Sequence, residues 1–257
     1  FTILKTPESV KTPVGISRLI LKSLKSDTEV FIAEMGAYQR GDIKALCEIA
    51  TPDIAILTGI NEAHLERFGS IENTTLAKFE IVENAKDGAL ILLNEDDKLV
   101  KQNYEKYIGN RRFEFYNNAP QPPLNLRGGE GELKIPFLGE YIWGVINACV
   151  IIAEELGMTS EEISRGVGKI KPIPHRLQKI ENPNGITVID DSYNGNPDGV
   201  REAIRVLAGF AGRRKIYITP GLVETGARAR EIHYEIGEQL ARVADVVILI
   251  RNSVAPF

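Results

Sequence analysis

Short apolar runs alternate along this chain with longer amphipathic runs, and that alternation restricts the fold more than any other feature. Val30-Phe31-Ile32-Ala33-Glu34-Met35, Asp53-Ile54-Ala55-Ile56-Leu57-Thr58-Gly59-Ile60 and Ala89-Leu90-Ile91-Leu92-Leu93-Asn94 read as strands. Helical periodicity fills the stretches near residues 14–25, 41–50, 71–86 and 97–107. Strand, helix and strand in that order make βαβ units, because parallel strands need a crossover connection. The fold class is therefore α/β with a mostly parallel sheet.

The pattern changes between about 110 and 138. Arg112-Phe113-Glu114-Phe115-Tyr116 reads as a strand, and Gly128-Gly129-Glu130-Gly131 as a hairpin turn before Leu133-Lys134-Ile135. An antiparallel addition to the sheet is expected there. Helices near 142–156 and 160–168 follow. Lys171-Pro172-Ile173-Pro174 is a stiff, extended linker, since each proline disfavours helix in the residue before it. The domain boundary is placed there, with a first domain over residues 1–172 and a second over 173–257. The second domain repeats the alternation, with strands near 186–191, 215–219 and 245–250 and helices near 198–209 and 228–243. No covering helix follows the last of these strands, and no initiator methionine opens the chain. A piece of a longer protein, cut at both ends, is expected.

Composition excludes several classes. A hydrophobic content of 43% and a charged content of 26% are those of a soluble globular protein. The net charge of -4, with both signs interspersed, gives no nucleic-acid footprint and no membrane-surface patch. No apolar run approaches the roughly 20 residues of a membrane span. The opening residues Phe1-Thr2-Ile3-Leu4-Lys5 carry no leader pattern. Cys47 and Cys149 match no metal or redox spacing. Both are expected to be small buried groups in helices, consistent with a reducing cytoplasm.

In open α/β sheets ligands bind outside the carboxyl ends of the strands, so the strand exits hold the candidate chemistry. Asp190-Asp191-Ser192-Tyr193-Asn194-Gly195-Asn196-Pro197 follows the run 186–189, which reads as a buried strand. Two adjacent carboxylates there would meet a nucleotide or sugar hydroxyl; the plainer reading is a turn that caps the next helix. Glu34 ends the first apolar strand, before Met35-Gly36-Ala37, and His64, in Asn61-Glu62-Ala63-His64, lies just past the second; the pair can share a cation. Lys78 sits in a helix between Ala77 and Phe79, where burial would lower its pKa. Arg176 follows the linker and can meet phosphate oxygens as a planar fork. Glu224 lies past another strand exit and can orient an amine-bearing substrate. His175 reads as structural, and His233 as a surface group on a helix. Gly166-Val167-Gly168-Lys169 is not a phosphate loop: it follows a helix and lacks the required spacing and hydroxyl residue. The chain has no G-x-G-x-x-G, which argues against a nicotinamide dehydrogenase.

Thr6-Pro7-Glu8-Ser9, Ala33-Glu34-Met35-Gly36-Ala37, Asn61-Glu62-Ala63-His64-Leu65-Glu66-Arg67-Phe68-Gly69-Ser70, Ala77-Lys78-Phe79-Glu80 and the 190–197 stretch, in this order, resemble the Mur ligase family over essentially the whole chain. The resemblance implies most of a central ATPase domain, with the family's phosphate loop upstream of Phe1, followed by an incomplete Rossmann-like C-terminal domain. It implies an ATP-dependent amide-bond ligase that adds D-alanyl-D-alanine to a UDP-N-acetylmuramoyl tripeptide through an acyl phosphate, in peptidoglycan precursor synthesis. By position, Glu34 and His64 match magnesium ligands. Lys78 matches a carbamylated lysine that helps hold the second of two Mg2+ ions. Arg176 and Asp191 match groups that approach the phosphate and ribose of ATP, with Tyr193, Asn194 and Asn196 in the same turn. Closure of one domain over the other is implied. A cytoplasmic monomer is expected, and the 257 residues alone are expected to be inactive.

Two departures from the family pattern stand out. Tyr141, Ile142 and Val145 replace polar groups at the start of the helix that touches adenine, and Lys11 stands where relatives often carry asparagine. Two alternatives stay open: a folylpolyglutamate-type or other amino-acid ligase, and a non-catalytic α/β nucleotide-binding module.

Overall fold

The computed structural model describes residues 1–8, 10–119, 137–193, 195–223 and 225–250. The hairpin expected at 128–135 and the candidate residues Asn194 and Glu224 lie outside them. The chain divides into two compact units, Phe1–Phe115 and Tyr116–Phe257.

In the first unit, β1 (Ile3–Lys5) pairs in parallel with β2 (Val30–Ile32), and α1 (Pro13–Ser23) makes the crossover. Thr12 starts α1 by accepting the Gly15 N–H, with Pro13 in the first turn. Then come α2 (Asp42–Ile49), β3 (Ile54–Leu57), α3 (Leu65–Phe68), α4 (Ile71–Glu83), β4 (Leu90–Asn94), α5 (Lys98–Asn103), α6 (Glu105–Ile108) and β5 (Arg112–Tyr116). The β3 and β4 strands are parallel, in register from Ile54 with Leu90 to Leu57 with Leu93, and β4 lies between β3 and β5. Leu90, Ile91, Leu92 and Leu93 are all buried, as an unbroken apolar strand covered on both faces should be.

The α4 helix is packed on two sides. Phe79 and Val82 join Ala55, Leu57, Ile91 and Leu93 in the main core, and Phe79 stacks on Tyr107 at 4.2 Å. Ala77 packs with Ala37, Ile43, Cys47 and Phe68 in a second cluster.

The second unit contains α7 (Tyr141–Glu155), α8 (Ser160–Val167), β6 (Gln178–Glu181), β7 (Thr187–Asp190), α9 (Pro197–Ala208), β8 (Ile216–Thr219), α10 (Ala229–Val243) and β9 (Val246–Leu249). A capping box between Thr159 and Glu162 starts α8. The β8–β9 pair is parallel, with α10 as crossover. Val200 and Ile204 of α9 pack against Ile232, Ile236 and Leu240 of α10.

The α/β class and the helices near their expected positions are present, and several local expectations are corrected. The run before Asp190 is not a buried strand. It forms an antiparallel pair with β6, and Ile186 and Val188 are 60% and 47% exposed. Glu34 lies beyond β2, which ends at Ile32, rather than closing it. His233 is buried, not on the surface: its Nδ1 donates to the Ala229 carbonyl at 2.6 Å, and its Nε2 accepts the Leu222 N–H at 3.0 Å. Cys47 is buried as expected, whereas Cys149 is exposed. No helix among the described residues is long and apolar enough to cross a membrane.

The two thiols should therefore differ in reactivity. Burial, helped by the nearby Glu80 charge, pushes the Cys47 thiol up to about 11, so little thiolate forms near neutral pH. Partial desolvation raises the Cys149 thiol as well, but Cys149 is open to reagent whereas Cys47 is not, so at pH 8 a thiol reagent should modify Cys149 faster than Cys47 in the native protein, with the difference lost in denaturant. Equal native rates would contradict the packing of α2 against α4.

Candidate functional site

Three of the predicted residues belong to the first unit. Glu34 is set by its backbone: its N–H donates to Thr6 Oγ1 at 3.0 Å, tying the loop after β2 to the end of β1. Its carboxylate is mostly exposed and lies 3.4 Å from Lys11 Nζ. The loop of Lys11 is fixed too, because the Gly36 N–H donates to the Lys11 carbonyl at 3.3 Å. A Cβ at Gly36 would come within 2.7 Å of Lys11 Cδ. Glycine after Glu34-Met35 is thus what lets the lysine stem pass and its ammonium reach the acid.

Lys78 lies half-buried on α4. At 3.6 residues per turn, Thr74, Thr75, Ala77, Phe79 and Val82 occupy one broad buried arc, and Lys78 falls in its middle. Burial lowers its pKa below the usual lysine value; the Lys11 charge adds to that shift and Glu34 opposes it. Glu34, Lys11 and Lys78 therefore form one electrostatic group, which Lys11 enters although the sequence marked it only as a departure from the family pattern.

His64 adopts a left-handed φ of 60° at the start of α3, an uncommon conformation for a residue other than glycine. Its ring meets the edge of Tyr38 at 4.9 Å, and the Arg67 guanidinium lies 4.6 Å over the same Tyr38 ring. The loop leading to His64 is anchored by Asp97, which accepts the Ile60 N–H at 2.7 Å. Any Cβ at Gly59 would lie 2.9 Å from that carboxylate.

Among the described residues, no three His, Cys, Asp or Glu side chains are grouped so as to hold a metal ion. With Lys78 as an ammonium, this group repels a divalent cation. Were the Lys78 ammonium to lose its proton and the amine to add carbon dioxide, the resulting carbamate anion would bring two oxygens to the charge group of Glu34, which would suit a hard cation. Unmodified, the Glu34, Lys11 and Lys78 group does not suit Mg2+.

The remaining candidates lie in the second unit. Asp191 Oδ1 accepts the Leu177 N–H at 3.1 Å, and burial raises its pKa despite that bond and the Arg176 charge. The Arg176 guanidinium lies 4.6 Å over the Tyr193 ring. The Tyr141 phenol belongs to the same neighbourhood: burial first, then the Asp191 charge, raises its pKa, while Arg176 opposes the shift. Asn196 caps α9, its side chain accepting the Gly199 N–H at 2.9 Å, so the plainer reading of the turn holds for that residue. His175, read as structural, pairs through Nδ1 with Asp190 Oδ2 at 2.7 Å.

Two family models place the chain in a known ligase class. Residues 1–153 match the Mur ligase middle domain, and residues 175–256 match the Mur ligase glutamate ligase domain. The chain belongs to the Mur ligase family. It is 27% identical to the UDP-N-acetylmuramoyl-tripeptide–D-alanyl-D-alanine ligase of Bacillus subtilis (strain 168), covering 92% of this chain and 54% of that protein. It is 25% identical to the enzyme of the same name from Escherichia coli (strain K12), covering 91% of this chain and 55% of that one. The MurF ligase of Thermotoga maritima, solved in complex with ADP, superposes with a TM-score of 0.82 at 27% identity, covering 99% of this chain and 62% of that one. The apo form of L. casei FPGS, at 16% identity and a TM-score of 0.62 over 92% of this chain and 63% of that one, shares the fold. The chain spans about half the length of the curated relatives it matches.

An ammonium in the middle of a buried arc opposes folding. A lowered amine pKa means that the folded state holds the proton less tightly than the unfolded chain. The penalty sets in as pH falls below 10.5, the unshifted value, and is complete below the folded value. In carbonate-free buffer, Lys78→Met should raise the melting temperature, and the gain should shrink as pH approaches 10.5. A melting temperature lowered by the substitution would contradict this reading of Lys78.

Proposed function

We propose that this chain is the catalytic part of an ATP-dependent ligase that joins D-alanyl-D-alanine to a UDP-N-acetylmuramoyl tripeptide. The observation that carries the reading is the placement of Lys78, half-buried at the centre of α4's packed face beside Glu34. A lysine held there gains nothing for folding and has a reason to exist as a carbamate ligand. The names of the sequence relatives and of the Thermotoga neighbour supply the substrate class. They favour dipeptide addition over the folylpolyglutamate-type alternative.

In the proposed reaction the γ-phosphoryl group of ATP passes to the tripeptide carboxylate, giving an acyl phosphate and ADP. The dipeptide amine then attacks that carbonyl; the amide forms, phosphate leaves and the amine proton is released. Phosphoryl transfer is catalysed mainly by positioning and charge neutralisation. Glu34, His64 and the Lys78 carbamate would hold the two Mg2+ ions, which when bound would neutralise phosphate charge. Thr6 and Gly36 keep Glu34 and Lys11 in place, and Asp97 fixes the loop of His64. Arg176 would meet the phosphate oxygens and Asp191 the ribose, with Tyr193 and Asn194 in the same turn and Glu224 toward the amine substrate. The domain boundary is proposed at 172/173, in the Lys171–Pro174 stretch, which lies within the 154–174 interval between the two matched segments.

The test is phosphate release by the full-length gene product given ATP, the UDP-linked tripeptide and D-alanyl-D-alanine. Release should need both substrates, and glutamate should not replace the dipeptide. Lys78→Ala should cost more than about 100-fold, and short carboxylic acids, standing in for the carbamate, should partly restore activity. Binding of nucleotide without turnover would favour the non-catalytic module, and turnover with glutamate instead would favour the other ligase class.

A further inference from the structure

The stretch His175-Arg176-Leu177 is held in a conformation that its sequence disfavours. Among the described residues, the non-glycine residues with left-handed φ are His64, His175 and Leu177, at 60°, 60° and 45°. Two of them flank Arg176. A side chain with a Cβ crowds the backbone in this region, and leucine has no polar group to compensate locally. Such strain persists only where the surroundings over-determine it.

The surroundings here are the two adjacent carboxylates at the end of β7. Asp190 Oδ2 meets His175 Nδ1 at 2.7 Å, and Asp190 Oδ1 accepts the Ser192 N–H at 3.1 Å. Asp191 Oδ1 accepts the Leu177 N–H at 3.1 Å. The Tyr193 N–H donates to the His175 carbonyl at 3.3 Å, and the Arg176 N–H to the Ile173 carbonyl at 3.2 Å. The Leu177 side chain is buried and lies against Gly139, where a Cβ would come within 2.9 Å of Leu177 Cδ1. Each neighbour of Arg176 is thus tied to its own aspartate, and the guanidinium rests over Tyr193.

Stability alone does not account for the His175–Asp190 pair. The β6–β7 hairpin is already paired from Gln178 with Asp190 to Glu181 with Thr187. The His175 side chain is 56% exposed, and exposed ion pairs contribute little. What the pair does fix is the backbone on one side of Arg176.

We propose that His175 and Asp190 are positioning residues for Arg176: the two carboxylates divide the work, Asp190 anchoring the residue before the arginine and Asp191 the residue after it. The guanidinium is thereby aimed before any ligand arrives. The proposal rests on the reading of Arg176 as a phosphate-facing group for its kinetic consequence, but not for its structural one.

Two measurements on the full-length protein separate the two. His175→Asn keeps tolerance of left-handed φ while removing the ring, and Asp190→Asn keeps the shape while removing the charge. In the nucleotide-free protein, the 15Nε–H order parameter of Arg176 should fall in both variants. An order parameter unchanged from wild type in both would overturn the proposal whatever the kinetics. In the phosphate-release assay, His175→Asn should lower kcat by roughly tenfold, a positioning-scale loss, yet should cost nothing further on an Arg176→Ala background. An equal loss on both backgrounds would mean that His175 acts independently of Arg176, and would also overturn it. If Arg176→Ala itself leaves turnover intact, the phosphate reading of Arg176 fails, while the order parameter still decides the positioning role.

Discussion

Helix α4 is gripped from two sides, and the first unit's candidate chemistry depends on that grip. Phe79 and Val82 belong to the core built on β3 and β4, while Ala77 belongs to the cluster shared with α2 and α3. A helix held on opposite flanks cannot roll, because either rotation would open a cavity in one of the two clusters. Lys78, between those flanks, is therefore kept where its amine is partly desolvated. Glu80 adds a polar fastening, accepting the Gly41 N–H at 2.6 Å and the Lys44 N–H at 3.0 Å at the start of α2.

The polar groups around Lys78 follow the same logic of small local devices. Thr6 fixes the backbone of Glu34, Gly36 makes room for the Lys11 stem, and Asp97 with Gly59 shapes the loop that ends in His64. In the second unit, Asp190 and Asp191 hold the residues around Arg176. His64 and His175 both take up left-handed backbone conformations. Strain of this kind collects where geometry must be held at some cost to stability, and here it collects at candidate site residues.

The sequence carried the class of the fold and most of its helices, because 3.6-residue periodicity and apolar strand runs survive in β3, β4, α4, α9 and α10. It did not carry β1 or β6. Both are short, and Gln178-Lys179-Ile180-Glu181 shows too little apolar alternation to stand out from a loop. The run at 186–190 looked like a buried strand because its side chains are apolar, but its partner is a single strand of the same hairpin. The site was legible as a set of residue types at strand exits. Lys78 was singled out by its neighbours, although Thr74 and Thr75 disguise the buried arc as a polar face. Lys11 gave no signal of its place beside Glu34, since only the pairing of β1 with β2 brings residues 11 and 34 together. His175 and Asp190 are likewise joined only by the β6–β7 hairpin.

The central proposal is that the Lys78 amine, held in its packed position, carries carbon dioxide. The direct measurement is a 13C spectrum of the protein supplied with 13C-bicarbonate and magnesium. A carbamate resonance that is present in the wild-type chain and absent from Lys78→Met is the predicted result. A folded wild-type protein that takes up no label, or one in which the label survives the substitution, contradicts it.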